Sequence, residues 1–190
     1  MSAQATVQAG KIQVRLAGFG GQGIVLIGMI LGKAVSLFES TNAVMTQSFG
    51  PEARGGACSA DVVISPSRIN YPRVTVPDIL VVMSEHAART YGPNTAPGAT
   101  VLVNENLVKT MPQGPGLKIY TIPATAMAEK LGRTMVANIV MLGFITAVTK
   151  IVRYESMEQA VLKSIPPGTE DLNLSAFKAG YEHGVAATNQ

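Results

Sequence analysis

The sequence has one cysteine, Cys58, and no tryptophan among its 190 residues. A single cysteine excludes an internal disulfide framework, and it excludes an iron–sulfur cluster or a cysteine-rich zinc site held by this chain alone. We expect Cys58 to be a small buried hydrophobic residue. The two histidines, His86 and His183, have no metal-ligand spacing with other ligand residues. We therefore predict no metal site in this chain.

Charged residues are also scarce, at 14% of the sequence against 47% hydrophobic residues. This composition argues against long disordered parts. It also indicates that partner subunits cover some of the surface, because large exposed apolar patches mark interfaces. The net charge is +3, with no run of lysine or arginine. We therefore expect no nucleic-acid partner, whereas small anionic ligands fit this charge.

We predict neither a targeting signal nor a membrane span from this sequence. The first ten residues, MSAQATVQAG, lack a basic start followed by an apolar stretch, so we expect no signal peptide and a cytoplasmic protein. Two apolar stretches, 24–38 and 135–152, are too short or too interrupted for the roughly 20 residues of a membrane span. We expect no membrane insertion and two buried helices. The length predicts a single domain over residues 11–190, after a polar tail of residues 1–10.

Short apolar runs alternate with helical patterns along the chain. Six strands are predicted, at 12–17, 42–47, 59–65, 79–83, 100–104 and 117–120. Several are apolar throughout, which is typical of a parallel sheet with helices on both faces. The sequence therefore predicts a three-layer α/β fold with a mostly parallel sheet.

Helices are predicted at 24–38, 84–91, 124–131, 134–152, 156–165 and 174–183. In the first, Gly28 and Gly32 share one face and would let a neighbouring element approach closely. Ser156 and Gln159 fit a capping box at the start of the fifth helix. Gly184 is in position to end the last helix.

A glycine-rich turn with the sequence GFGGQG, residues 18–23, follows the first strand. Gly18, Gly20 and Gly23 match G-x-G-x-x-G between a strand and a helix. In this context a helix N-terminus presents free N–H groups to a phosphate. An NAD site also needs an acid after the second strand to bind the ribose. Here that strand ends at Gln47 and Ser48, so a turn that only packs the helix on the sheet remains an alternative.

The segment SFGPEARGG, residues 48–56, takes the place of that acid. Parallel strands end at one edge of a sheet, so we expect this segment to form a concave rim with the glycine turn. Arg54 is suited to bidentate pairing with a carboxylate or phosphate. A local ion pair between Glu52 and Arg54 is the alternative. The candidate binding residues are Gly18, Gly20, Gly21, Gln22, Gly23, Ser48, Gly50, Glu52, Arg54, Gly55 and Gly56.

Two further polar residues lie at the start of a predicted helix, and a third lies inside another. Ser84 follows the fourth strand and fits a helix N-cap, although Ser84 and Glu85 are also placed to touch a ligand on the same rim. Asn138 interrupts an apolar helix, where a buried amide needs hydrogen-bond partners. We favour a packing role for Asn138 over a contact across an interface.

The two glycine segments together carry a family resemblance. AGFGGQG, SFGPEARGG with ADVVIS after it, and INYPRV with PDILVVMS resemble the gamma subunit of 2-oxoacid:ferredoxin oxidoreductases. The resemblance is greatest to the 2-oxoglutarate type and runs from Lys11 to Tyr181, including NIVMLG and AFKAGYE.

The resemblance implies a complex that oxidatively decarboxylates a 2-oxoacid with coenzyme A to an acyl-CoA and CO2. Thiamine diphosphate and magnesium would lie on alpha and beta subunits. Iron–sulfur clusters on beta and delta subunits would pass electrons to ferredoxin. The gamma chain would have no catalytic residue and would be inactive alone. It would contribute to assembly and form a cradle for the phosphates of coenzyme A at the glycine rim and Arg54.

Two other functions remain open at this stage. A stand-alone NAD(P)-binding oxidoreductase would bind NADH by itself, although the ribose acid and a substrate domain are missing. A ligand-free assembly subunit would bind no coenzyme A. The substrate is also open: Tyr71, Pro72 and FGPEARGG favour 2-oxoglutarate, with pyruvate, branched-chain 2-oxoacids, indolepyruvate and phenylglyoxylate as alternatives.

Overall fold

The computed structural model describes residues 10–49 and 57–189. Among these residues, one sheet of six strands has the order β2-β3-β1-β4-β5-β6. The strands are β1 (Ile12–Phe19), β2 (Asn42–Phe49), β3 (Ala57–Ser65), β4 (Ile79–Val82), β5 (Thr100–Asn104) and β6 (Lys118–Ile122). Strands β1, β4, β5 and β6 are parallel, whereas β3 is antiparallel to both β1 and β2. The predicted mostly parallel sheet is confirmed.

The α-helices of the described residues connect the strands and then follow the sheet. They are α1 (Ile24–Lys33), α2 (Glu85–Tyr91), α3 (Ala124–Lys130), α4 (Ala137–Thr149), α5 (Tyr154–Leu162) and α6 (Glu170–Thr188). A π-helical turn, Ala34–Phe38, extends α1, so the helix predicted at 24–38 is nearly continuous. Helix α4 is shorter than predicted because Lys150, with φ of 52°, adopts the left-handed conformation that ends a helix.

The sheet has a hydrophobic core on each face, because successive strand residues point to opposite faces. The larger core packs strand residues such as Leu16, Val62 and Leu102 against α1, α3, α4, α5 and α6. The smaller core packs Leu80 and Val103 of the other face against α2 and the segment after β5. These two cores confirm the three-layer α/β fold.

Helices α4 and α6 pack through glycines. A methyl group at Gly143 would overlap the Phe177 carbonyl oxygen, and one at Gly180 would overlap the Val140 carbonyl oxygen. The two helix backbones therefore touch with no side chain between them. Gly184 lies inside α6, where it packs against α4. Its predicted role as a helix terminator is wrong, because the close approach of α4 requires a glycine within the helix.

The predicted capping box at Ser156 is also wrong. Helix α5 begins at Tyr154, with Arg153 as N-cap and no side-chain cap hydrogen bond, so Ser156 lies within the helix. Arg153 instead donates to the Glu39 carboxylate from its backbone N–H at 3.1 Å and from Nε at 3.0 Å. A long-range ion pair, rather than a local cap, therefore fixes the start of α5.

The glycine pair in α1 behaves only partly as predicted. A methyl group at Gly28 would lie 2.8 Å from the Ala60 side chain, so Gly28 does allow α1 to approach β3 closely. A methyl group at Gly32 would have nothing within 4 Å. The prediction of close packing at Gly32 is wrong, because no neighbouring element approaches the helix at this position.

Candidate functional site

Strands β1, β4, β5 and β6 end at one side of the sheet, the carboxyl edge. Strand β2 ends there as well, since Gly18 of β1 and Phe49 of β2 both pair with Cys58 of β3. Ser48 therefore lies at the same edge as the glycine turn, with β3 between them. The other predicted residues of this segment lie outside the described residues: Gly50, Glu52, Arg54, Gly55 and Gly56.

The position and direction of β3 explain why no acidic residue is placed to bind the ribose of a dinucleotide. In a dinucleotide-binding fold, the second parallel strand lies beside the first and presents the acid at its carboxyl end. Here β3 lies beside β1 and runs in the opposite direction. The strand that neighbours the glycine turn therefore begins at the carboxyl edge instead of ending there. This topology, unlike the turn itself, differs from that of an NAD site.

The turn at residues 18–23 depends on its glycines. Gly21 and Gly23 have φ of 101° and 73°, in the left-handed region that favours glycine. A methyl group at Gly18 would overlap the Gln22 side chain, and one at Gly23 would overlap the amide of Asn138. A side chain at Gly18 or Gly23 would therefore displace Gln22 or Asn138, whatever the turn binds.

Gln22 stabilises this turn through two side-chain hydrogen bonds. Its Oε1 accepts a hydrogen bond from the Phe19 N–H at 2.9 Å, and its Nε2 donates to the Met83 carbonyl oxygen at 2.8 Å. These contacts join the ends of β1 and β4. They give Gln22, a candidate binding residue, a positioning role in the turn.

Helix α1 begins directly at the turn. Gly23 is its N-cap, with no side-chain cap hydrogen bond and no acidic residue in the first turn. The first N–H groups of a helix have no acceptor within the helix and carry the positive end of its dipole. Asn138, which is 5% exposed, places its Nδ2 against Gly23. The carboxyl edge therefore presents backbone donors in the arrangement that binds phosphate groups.

A pocket of about 210 Å³ opens beside the glycine turn. Its walls come from the turn, the end of β4, the segment after β5 and the residues around the start of α4. Phe19, Leu107 and Met135 line it with exposed apolar side chains, and Met135 is 80% exposed. The pocket thus places apolar walls beside Gly21 and Gln22 of the glycine turn.

A buried amide lies at the carboxyl end of β5. Asn104 is fully buried, its Nδ2 donates to Thr125 Oγ1 at 2.9 Å, and its Oδ1 has no partner among the described residues. Thr125 itself lines the pocket. Four residues of this region were not predicted from the sequence as site residues: Asn104, Leu107, Thr125 and Met135. The signal for Asn104 was its position, as the polar residue that ends an apolar strand of a parallel sheet.

Ser84 and Glu85 accept hydrogen bonds that position α2 and the segment after β5 beside the pocket. Ser84 caps α2, because its Oγ accepts from the Ala87 N–H at 3.2 Å, which confirms the predicted N-cap. The Glu85 carboxylate accepts from the N–H groups of Lys109 at 2.7 Å and Thr110 at 3.1 Å. Glu85 therefore tethers the segment that carries Leu107 into the pocket.

The hydrogen bonds that Glu85 accepts from Lys109 and Thr110 should be detectable in a pH titration of the Glu85 carboxyl group. Hydrogen bonds from the Thr110 side chain, then from the N–H groups of Thr110 and Lys109, lower the pKa of Glu85 to about 2. A carboxyl group with a lowered folded-state pKa stabilises the fold above its unfolded pKa and loses that contribution as pH falls through the folded value. We expect the amide chemical shifts of Lys109 and Thr110 to titrate with a midpoint near 2, and Glu85→Gln to abolish this titration. A midpoint at the ordinary value of about 4.3 would contradict the tether.

Cys58 and His183 belong to no metal-ligand group among the described residues. Cys58 is buried, as predicted, and burial raises the pKa of its thiol. His183 donates to the Thr121 carbonyl oxygen at 3.2 Å. Within residues 10–49 and 57–189, no group of three or more histidine, cysteine, aspartate or glutamate residues is placed to hold a metal ion. None of the helices in these ranges is long and apolar enough to cross a membrane.

The fold and the rim define an α/β domain with a dinucleotide-type glycine turn and a non-dinucleotide strand order. The family profile of pyruvate ferredoxin/flavodoxin oxidoreductase matches residues 13–183, and the chain belongs to this family. It is 52% identical over 173 residues to the 2-oxoglutarate synthase subunit KorC of Methanocaldococcus jannaschii, covering 90% of this chain and 92% of that protein.

Two solved structures share the fold. The gamma subunit of a keto/oxoacid ferredoxin oxidoreductase from Geobacter sulfurreducens matches with a TM-score of 0.83 and 36% identity, over 93% of this chain and 99% of that chain. The 2-oxoglutarate:ferredoxin oxidoreductase from Magnetococcus marinus, solved with 2-oxoglutarate, coenzyme A and succinyl-CoA bound, matches with a TM-score of 0.82. At 20% identity, over 93% of this chain and 31% of that chain, this likeness is one of fold. The resemblance to gamma subunits is confirmed.

Proposed function

We propose that the chain is the gamma subunit of a thiamine-dependent 2-oxoglutarate:ferredoxin oxidoreductase and that its carboxyl edge binds coenzyme A. The observation that carries the coenzyme A proposal is the uncapped N-terminus of α1, which opens at the glycine turn without an acidic residue. Coenzyme A carries a pyrophosphate and a 3′-phosphate, and helix N-termini bind such groups. The name of the Methanocaldococcus relative supports 2-oxoglutarate as the substrate.

The proposed roles follow from the described residues of the carboxyl edge and, for Arg54, from its place in the sequence. The N–H groups at the start of α1 bind a phosphate, and Arg54 pairs with a phosphate bidentately. The apolar side chains of Phe19, Leu107 and Met135 contact the non-phosphate part of the ligand. Gln22 holds the turn in position. A second subunit that closes over this edge would complete the enclosure.

Other subunits would hold the groups that perform the reaction. Thiamine diphosphate and magnesium on alpha and beta subunits would supply the decarboxylation, and iron–sulfur clusters on beta and delta subunits would carry electrons to ferredoxin. The single cysteine of this chain cannot hold such a cluster. We therefore expect the isolated chain to have no oxidoreductase activity.

The coenzyme A proposal is tested by replacing Arg54 in the assembled complex. We expect Arg54→Ala to weaken coenzyme A binding by about 1.5–3 kcal/mol, the usual size of a hydrogen bond to a charged group. Titration calorimetry with coenzyme A measures this change. Lys178→Ala removes an exposed cation of α6 and serves as the matched control. Equal coenzyme A affinity in wild type and Arg54→Ala would favour a ligand-free assembly subunit.

A further inference from the structure

Strand β2 is an edge of the sheet, and its sequence does nothing to protect that edge. It runs for eight residues, NAVMTQSF, without a charged residue or proline, and it pairs with β3 in one unbroken register. Natural proteins commonly blunt an edge strand with a lysine, a proline, a bulge or a short length. The opposite edge follows this pattern, since β6 has five residues and begins with Lys118. No strand of the described residues pairs with the outer side of β2, so its row of backbone groups is a template for another strand.

Both ends of this edge have side-chain features for recognition. At the carboxyl end, Phe49 is 61% exposed. At the amino end, a pocket of about 600 Å³ is lined by residues 42–44 of β2 together with Arg68 and Ile69. Arg68 is exposed, and no carboxylate within the described ranges forms an ion pair with it. The edge thus combines an exposed apolar side chain, Phe49, at one end with an exposed cation, Arg68, at the other.

The charge pattern favours a different chain over a second copy of this one. Strand β2 contains no acidic residue, so pairing between two β2 strands would not bring a carboxylate from the paired strand to Arg68. The sizes of relatives point the same way, because in the Magnetococcus marinus enzyme this fold makes up 31% of a longer chain. Under the proposed function, the rest of such a chain would correspond to separate subunits.

We propose that β2 binds an extended segment of another subunit of the oxidoreductase, which adds a strand to the sheet. This inference rests on the proposed function as a subunit. Backbone hydrogen bonds along β2 give the affinity, and alternate side chains give the specificity. The segment places an acidic side chain at Arg68 and an apolar side chain at Phe49.

Hydrogen exchange tests this arrangement with the assembled complex and the isolated chain. We expect the amides of residues 42–49 to exchange more slowly in the complex, while those of β6 serve as the internal reference. A complex that forms with unchanged exchange in residues 42–49 would overturn the inference and leave the proposed function intact. Failure to form any complex would overturn both. Concentration-dependent protection of residues 42–49 in the isolated chain would identify a second copy as the occupant and overturn the proposal.

Two variants separate the charge contact from the edge itself. We expect Arg68→Glu to weaken assembly about tenfold or more, because a like charge would face the acidic side chain of the partner. Gln47→Lys, at an exposed position of β2, blunts the edge and should weaken assembly as well. Lys118→Gln, on the opposite edge, is the control and should assemble like the wild type. Normal assembly of both β2-side variants would overturn the proposal.

Discussion

Replacing Gly180 by alanine will lower the free energy of unfolding by about 3 kcal/mol, because overpacking against a rigid neighbour carries a penalty of this order. The added methyl group would overlap the Val140 carbonyl oxygen of α4. A backbone carbonyl cannot rotate away as a side chain does, so the whole of α6 would have to move. Since α4 is buried from Ala137 to Ala147, such a movement would disturb the main core.

Gly32→Ala is the matched control, because Gly32 also lies inside a helix. A methyl group there has nothing within 4 Å, so only helix propensity changes, and stability should rise by about 0.5–1 kcal/mol. Urea unfolding followed by circular dichroism measures both variants. Two changes of the same sign and size would show that the contact between α4 and α6 is looser than the structure has it.

Replacing Gly23 by alanine in the assembled complex will raise the KM for coenzyme A by about tenfold or more, the equivalent of losing one charge-assisted hydrogen bond. The methyl group would overlap the Asn138 amide, and φ of 73° is unfavourable for alanine. Both effects displace the N-terminus of α1 from the rim. The donors that we assign to a phosphate would then lose their alignment.

Gly98→Ala controls for backbone strain alone. Gly98 has a similar φ of 77°, and an added methyl group there would have nothing within 4 Å. It precedes β5 and therefore lies at the amino ends of the parallel strands, away from the glycine turn. Strain should lower the stability of both variants by about 1–2 kcal/mol, and Gly23→Ala should lose more because of its overlap with Asn138, as thermal unfolding would show. Saturation kinetics with coenzyme A should change only for Gly23→Ala. An equal KM in both variants would remove α1 from the proposed site.

The strands were predictable because each is a short segment rich in apolar residues, and several are apolar throughout. Strand β5 matches its prediction at both ends, Thr100–Asn104. The direction of β3 was not predicted, because apolar content does not encode direction. The chain from Phe49 to Ala57 is shorter than the dozen or more residues that a parallel crossover needs. Its length was therefore the available signal for an antiparallel pair.

The glycine turn was predictable because its requirements are local to residues 18–23. The contacts that hold the turn in place were not predictable from the sequence. Gln22 donates to Met83, and Asn138 packs against Gly23, across long sequence separations. A prediction from a local motif was wrong where a tertiary contact determines the start of a helix. The Arg153 ion pair with Glu39 replaced the cap at Ser156.

The most direct test of the subunit proposal is affinity purification of this chain from its native host without oxygen, followed by native mass spectrometry and cofactor analysis. We predict that the chain is recovered with larger subunits that carry thiamine diphosphate and iron–sulfur clusters. The recovered complex should oxidise 2-oxoglutarate in the presence of coenzyme A and ferredoxin. Recovery of the chain alone, as a small oligomer without these cofactors, would contradict the proposed function.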